Sequence, residues 1–203
     1  MMVQSSMLET KEIRWFFTEY PPGVSAWFSA LDPQAVKQED RTDIYWVTGC
    51  ETVGVKLRQG RLEVKARTFG PADYLPGGGV ACRLEGWAKQ VFELAPGQVM
   101  DTLSSHLLHV RKQRQATILT WPGPRFHLPV PAAPRGCQIE FTRVLIGSNT
   151  WYTLGLEWGS EPSCEPSESF LSALPSPHLL TLENAMGYPE FLFRHYPPVT
   201  HQG

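Results

Sequence analysis

The sequence has no long apolar run, no strong net charge and no closely spaced pair of cysteines. No stretch approaches the roughly 18 consecutive apolar residues that a membrane span needs, and the first residues lack the basic start and apolar run of a signal peptide. Eighteen Lys and Arg against 20 Asp and Glu give a formal net charge of −2, which excludes a global basic field for nucleic acid or anionic lipid. We therefore expect a cytoplasmic protein with no nucleic-acid or membrane partner.

Several familiar site motifs are also missing. The four cysteines form no CxxC pair and have no zinc-type spacing to histidine, so we expect reduced thiols. The glycines at 77–79 are not followed by the Lys-Ser/Thr of a phosphate-binding P-loop. No GxSxG segment is present to form a nucleophile elbow. The hydrophobic fraction of 42% nevertheless excludes a disordered chain.

Eighteen prolines and 17 glycines divide the chain into short segments in which apolar and polar residues alternate. This pattern predicts strands near 11–17, 43–48, 53–58, 61–68, 81–93, 109–119, 138–146 and 150–158. Helical spacing predicts helices over 24–31 and 97–107, and is compatible with a third over 168–174. The result is an α+β domain of mainly antiparallel strands, a barrel or a sandwich, over residues 1–158. We expect the Pro/Ser-rich segment and aromatic tail over 159–203 to pack on the same domain.

A β-hairpin over 55–67 concentrates positive charge on one face. Gln59 and Gly60 supply a two-residue turn, which sets Arg58 opposite Arg61. Because side chains alternate along a strand, one face is apolar and the other carries Lys56, Arg58, Arg61, Glu63, Lys65 and Arg67. The charged face is either the solvated side of an ordinary antiparallel sheet or an anion-binding surface. The second interpretation gains support because directly opposed like charges are otherwise destabilising.

Other predicted strands repeat the charged pattern. The segments involved place together Glu12 with Arg14, Arg83 with Glu85 and Lys89, and Lys112 with Arg114. A hairpin around Ser148 and Asn149 would set Glu140 opposite Glu157. If all these faces line one cavity, the basic residues would bind phosphoryl oxygens and the carboxylates a divalent metal such as magnesium.

This order of motifs resembles the CYTH superfamily, the triphosphate tunnel metalloenzymes. Members have an opening ExExK strand, an LRxR hairpin, an acidic strand, a K-x-R strand and a late acidic strand. The corresponding segments here are EIRWF, VKLRQGRLEVKAR, RLEGWAK, VRKQR and LGLEWG, from residue 11 to about 158. In the opening strand, Arg14 stands where the family has its second glutamate and Phe16 where it has the lysine.

The resemblance implies a CYTH-like closed barrel, or tunnel, that binds a phosphorylated small molecule or inorganic polyphosphate and hydrolyses triphosphate with a metal ion. The implied phosphate-binding residues are Arg14, Lys56, Arg58, Arg61, Lys65, Arg67, Arg83, Lys89, Lys112 and Arg114. The implied magnesium or manganese ligands are Glu12, Glu63, Glu85, Glu140 and Glu157. Lys56 and Glu157 are the implied catalytic residues.

Two alternatives stay open on the sequence. A non-catalytic module of the same fold would hold an organic phosphate, a nucleotide or an acidic partner without turning it over. A lipocalin-like barrel would instead bind an apolar small molecule in a cup lined by Trp15, Trp46, Trp87 and Trp151.

Overall fold

The computed structural model describes residues 7–94, 107–120, 125–127, 136–159, 161 and 164–198. Within these residues the chain forms nine strands, three α-helices and two short 3-10 turns, at Pro33–Ala35 and Pro177–Leu179. In chain order the elements are β1 (Leu8–Phe17), α1 (Pro22–Ser29), β2 (Lys37–Trp46), β3 (Val53–Arg58), β4 (Arg61–Gly77), β5 (Val80–Glu93), β6 (Leu107–Thr120), β7 (Arg125–His127), β8 (Cys137–Ile146), β9 (Asn149–Gly159), α2 (Glu168–Ser172) and α3 (Tyr188–His195).

Eight antiparallel strands close into a barrel in the order β2-β3-β4-β5-β1-β9-β8-β6. Pairing of β2 with β6 along ten residues completes the ring. The short β7 pairs with the last three residues of β6. The prediction of a mainly antiparallel closed barrel with few helices is therefore confirmed.

Several predicted elements differ from the observed ones. Strand β2 begins at Lys37, ahead of the predicted 43, and β4 continues to Gly77 through register shifts that the sequence pattern does not show. The predicted helix over 97–107 lies outside the described residues except for Leu107, which begins a strand. Helix α3 was not predicted and lies within the aromatic tail.

The charged faces of the strands turn inward, and much of the apolar core lies outside the barrel wall. On β1 the odd-numbered Ile13, Trp15 and Phe17 are buried in a cluster on the outer side. Helix α1 covers this cluster with Val24 and Phe28, and the region of α2 covers it with residues such as Leu171. Because this outer cover buries the apolar faces, the opposite faces of the strands are free to line the barrel with polar groups.

A second apolar cluster closes one end of the barrel. The Phe191 ring of α3 stacks on Phe16 of β1 with their centroids 4.0 Å apart, and meets Trp151 of β9 edge-on at 5.0 Å. Two backbone bonds tie the preceding segment to β1, from Met186 N to Arg14 O and from Phe16 N to Asn184 O, each 2.9 Å. These contacts hold residues 184–192 against the barrel, while the domain boundary after residue 158 stays a prediction.

The two hairpins give different outcomes for strand register. Pairing of β3 with β4 sets Arg58 opposite Arg61 and Leu57 opposite Leu62, as predicted. The predicted pairing of Glu140 with Glu157 is wrong, because β8 and β9 turn at Gly147 and Ser148, one residue earlier than expected. Gly147 has a φ of +57°, which a glycine adopts without strain. Glu140 consequently faces Gly155, and Glu157 faces Gln138.

None of the helices within the described residues is long and apolar enough to span a bilayer.

Truncation of Phe191 tests whether α3 is an integral part of the barrel. Phe191 has no exposed surface, so Phe191→Ala should lower the free energy of unfolding in urea by about 3–5 kcal/mol. Phe193→Ala on the same helix is the matched control, because Phe193 is 39% exposed and its loss should cost well under half as much. Equal effects of the two substitutions would contradict the packing described.

Candidate functional site in the barrel interior

Each of the eight barrel strands contributes a charged side chain to the interior. The charges do not segregate by strand, since carboxylates of one strand form ion pairs with lysines and arginines of the neighbouring strand. Representative members, in the order of the ring, are Asp43, Lys56, Lys65, Glu85, Glu12, Glu157, Glu140 and Lys112. This interior is the candidate site, and its charge makes a cup for an apolar ligand unsuitable.

Arg14 links β1, β8 and β9 at the centre of the interior. Its Nε lies 2.6 Å from Glu12 Oε1 and its Nη1 lies 2.7 Å from Glu140 Oε1 and 3.3 Å from Thr153 Oγ1. Glu140 is shared with Arg114 of β6, whose Nε lies 2.5 Å from the other carboxylate oxygen. Burial opposes ionisation of Glu140, but Arg114 and Arg14 hold its pKa well below the usual value. The chain of ion pairs therefore keeps both charges of each pair in place.

Gly155 makes room for the Arg14 guanidinium. A Cβ at this position would lie 2.6 Å from three guanidinium atoms, which is closer than van der Waals contact. The glycine of the late LGLEWG segment thus has a steric role that the sequence alone does not reveal.

Lys65 of β4 occupies the space between two of the predicted metal ligands. Its ammonium is in contact with Glu12 and lies 3.9 Å from Glu157. Burial favours protonation of Glu12, but Lys65 and Arg14 overcome that effect and lower its pKa to about 2. Lys65 also lies 5.0 Å from the centroid of the Trp87 ring. A lysine ammonium is therefore the cation that these carboxylates hold.

Glu85, Glu12 and Glu157 stand side by side on β5, β1 and β9. Burial and the neighbouring Glu12 carboxylate raise the pKa of Glu85 to about 7. The closest cation to Glu85 is Arg67, with Nε 3.4 Å from Oε1. This row is the part of the interior with the least complete neutralisation of carboxylates.

The five predicted metal ligands do not form a metal centre. Within the described residues, no group of three or more His, Cys, Asp or Glu side chains is arranged to hold a metal ion. Glu63 is paired with Lys56 and Arg58, Glu140 with two arginines, and Glu12 with Lys65 and Arg14. Because lysine and arginine already neutralise Glu12, Glu63 and Glu140, and the Lys65 ammonium lies between Glu12 and Glu157, the set of five does not fit a resident magnesium or manganese ion.

Positive charge exceeds negative charge between β2, β3 and β6. Here Lys56 Nζ lies 3.1 Å from Glu63 Oε2, and Arg58 Nε lies 2.8 Å from Glu63 Oε1. The group contains the cations Arg41, Lys56, Arg58 and Lys112 and the carboxylates Asp43 and Glu63. Glu39 also pairs with Arg41, but it is shared with a further cation, Arg114. Including Glu39 and Arg114 in the group therefore leaves the excess of positive charge unchanged. We call these six residues the basic cluster.

Lys112 is the deepest cation of the basic cluster. Its Nζ lies 2.7 Å from Tyr45 Oη, 3.1 Å from Asp43 Oδ2 and 3.8 Å from the centroid of the Tyr188 ring. Burial lowers the pKa of Lys112 to about 7, although Asp43 opposes that effect, and the repulsion of Lys56 and Arg41 adds to it. For Lys56, burial and then Arg58 lower the pKa to about 8. Near neutral pH both amines can gain or lose a proton.

One end of the interior is open to solvent. Side chains at this end keep about a quarter of their surface exposed: 24% for Arg58, 22% for Lys65 and 25% for Glu157. Those further in are almost completely covered, with 5% for Lys112 and 4% for Arg14. An anion entering at Arg58 and Lys65 would therefore move from a solvated to a desolvated set of cations.

The structure brings most of the predicted site residues together and leaves a few at the edge. Arg61 is exposed at the hairpin end and pairs with Glu93, with Nε and Oε1 2.8 Å apart. Arg83 is half-buried and pairs with Asp73, and Lys89 is half-buried near Glu63. The other predicted residues, which line the interior, are Glu12, Arg14, Lys56, Arg58, Glu63, Lys65, Arg67, Glu85, Lys112, Arg114, Glu140 and Glu157.

Sequence reasoning missed contributions from β2 and α3. The alternation of Glu39, Arg41 and Asp43 would have placed all three on one face of a strand, had the predicted strand begun before 43. Nothing in the pattern of the tail indicated that Glu190 would lie 3.3 Å from Arg67 or that Tyr188 would enter the barrel.

A scan against family models finds none that matches this chain, and no curated protein matches it either. The resemblance to the CYTH superfamily therefore stays a prediction that rests on the motifs and on their placement around the barrel.

Substitution of Gly155 tests the space reserved for Arg14. Gly155→Ala should displace the guanidinium from its carboxylate partners and lower the free energy of unfolding by about 1–3 kcal/mol, the cost of disturbing buried charged hydrogen bonds. Gly159→Ala on the same strand is the control, because no atom lies within 4 Å of a Cβ there. Urea denaturation measures both, and an unchanged Gly155→Ala variant would contradict the placement of Arg14.

Proposed function

We propose that the barrel binds a phosphorylated small molecule or inorganic polyphosphate in its interior. The observation that carries this proposal is the surplus of cations in the basic cluster, which extends from partly exposed Arg58 at the open end to buried Lys112 further in. Lysine and arginine bind phosphoryl oxygens through short, charge-assisted hydrogen bonds. A phosphorylated metabolite as ligand also agrees with the cytoplasmic location expected from the sequence.

The depressed pKa values of the two lysines support the same proposal. An amine whose pKa is about 7 or 8 has less counter-charge around it than its burial requires. A bound anion would supply that charge and return both pKa values toward that of an ordinary lysine. The binding of a ligand would thus remove the electrostatic penalty that follows from burying these two amines with too little counter-charge.

A second candidate function is hydrolysis of the bound polyphosphate, with Lys112 as the observation that favours it. With the anion bound Lys112 is protonated, so its ammonium, which donates to the Tyr45 hydroxyl over 2.7 Å, is suited to stabilise negative charge that develops on the phosphoryl oxygens during hydrolysis. Since the carboxylates do not fit a metal ion, we assign no metal-dependent step. Phosphate release from tripolyphosphate, measured with magnesium, with manganese and with EDTA, separates a hydrolase from a binding protein.

Removal of charge from the basic cluster should weaken binding. Lys56→Met and Arg58→Gln should each reduce the affinity for tripolyphosphate by about tenfold or more in calorimetry, because each loses a charged hydrogen bond worth roughly 1.5–3 kcal/mol. Arg111→Gln is the matched control, since Arg111 lies on the outer face of β6 and pairs with Asp40. Equal affinity in all four proteins would overturn the assignment of the interior as the site.

Binding should also take up protons. At pH 7.5 the Lys112 amine is largely neutral because its pKa is about 7, and an anion raises that pKa, so a proton is taken up from the buffer. Calorimetry of tripolyphosphate binding in two buffers of different ionisation enthalpy measures this uptake. The number of protons taken up should fall at pH 6, because Lys112 is already protonated there. Release of protons on binding at pH 7.5 would contradict the account.

A further inference from the structure

The segment that precedes and includes α3 contacts all eight strands of the barrel at its closed end. Pro189 packs against Gly54 of β3, and Glu190 pairs with Arg67 of β4 and lies near Arg83 of β5. The aromatic cluster around Phe191 includes residues from the other five strands: Phe16, Tyr45, Val110, Val144 and Trp151. A ligand that enters between Arg58 and Lys65 therefore ends at α3.

Tyr188 is the residue of α3 that enters the charged interior. Its ring lies beneath two cations, with Lys112 Nζ 3.8 Å and Arg14 Cζ 5.0 Å from the centroid. The same ring stacks on Tyr45 at 5.8 Å and meets Phe16 edge-on at 5.0 Å. These contacts fix the direction of the side chain.

The hydroxyl of Tyr188 has no hydrogen-bond partner in the described part of the chain, although it is buried. A buried hydroxyl without a partner costs free energy that packing elsewhere must offset. Thr142 Oγ1, Trp87 Nε1 and Thr10 Oγ1, on the inner faces of β8, β5 and β1, are likewise buried without a partner in the described residues. Four neutral donors thus lie unpaired in an interior whose cations attract an anion.

The Tyr188 hydroxyl also keeps its proton. Burial, with the charge of Glu140 and Asp43, raises the pKa of Tyr188 above that of a free tyrosine, although Arg14 opposes the effect. The group is therefore a donor at every physiological pH.

We propose that Tyr188 donates a hydrogen bond to a terminal phosphoryl oxygen of the bound anion, so that α3 supplies a ligand-binding residue to the barrel. This inference rests on the proposed function and deepens it. The ligand is held at its outer part by Arg58 and Lys56, in the middle by Lys112, and at its inner end by Tyr188. The site is then incomplete without the C-terminal segment.

The experiment compares Tyr188→Phe, Tyr188→Ala and wild type in calorimetric titration with tripolyphosphate and in thermal denaturation. Phenylalanine keeps the ring that contacts Lys112 and Phe16 and removes only the hydroxyl. We expect Tyr188→Phe to melt at or above the wild-type temperature, because it removes an unpaired buried hydroxyl, and to bind about tenfold more weakly, while Tyr188→Ala loses both stability and affinity. Tyr20→Phe is the matched control on the outside, where Tyr20 is 53% exposed, and should bind as wild type does.

The outcomes separate the two proposals. If wild type does not bind tripolyphosphate or another phosphorylated probe, the proposed function fails, and this inference fails with it. If wild type binds and Tyr188→Phe binds equally well, the proposed function stands. The role of the Tyr188 hydroxyl is then overturned, because the phenylalanine ring alone supports full affinity.

Discussion

The structure depends on the neutralisation of charges that the barrel takes out of water. Moving an ionised side chain into a protein interior costs several kcal/mol unless an opposite charge with good geometry receives it. Arg14 meets this requirement through Glu12 and Glu140, and Lys65 meets it through Glu12. Because the Arg14–Glu140 and Lys65–Glu12 pairs each join two strands, strand register and charge balance depend on each other.

The same requirement explains why the ordinary arrangement of a barrel is inverted here. With charges inside, the apolar faces of β1, β8 and β9 must be buried on the outside, which is the role of α1 and the region of α2. The closed end needs an apolar and charged cover of its own, and residues 186–192 provide it with Phe191 and Glu190. Regions distant in sequence are thus needed to stabilise a single charged interior.

The parts of the fold that could be predicted from sequence depend on local geometry. The β3–β4 hairpin was predictable because a two-residue turn and strict alternation determine both register and face. The β8–β9 register was not, because Gly147-Ser148 and Ser148-Asn149 are both plausible turns and the choice between them moves every pairing by two residues. Glu140 therefore lies opposite Gly155, in the cross-strand row of Arg14, instead of in the row of Glu12 and Glu157.

The charged residues of the candidate site could be predicted from the sequence, but the ion pairs that they form could not. Alternation placed Lys56 with Arg58 and Lys112 with Arg114 on shared faces, but it could not show that these faces point inward. Nor could it show that Lys65 would take the place expected for a metal ion between Glu12 and Glu157. Tyr188 and Glu190 reach the interior through contacts between residues more than a hundred positions apart, as in the pair of Glu190 with Arg67. No periodic pattern carries that information.

A crystal structure of the protein grown with tripolyphosphate tests the central claim most directly. The account predicts phosphoryl density inside the barrel, between Arg58 at the open end and Tyr188 at the closed end, with oxygens within hydrogen-bond distance of Lys56 and Lys112. Density confined to the outer surface, or an interior in which the same ion pairs persist without any bound anion at saturating ligand, would contradict it.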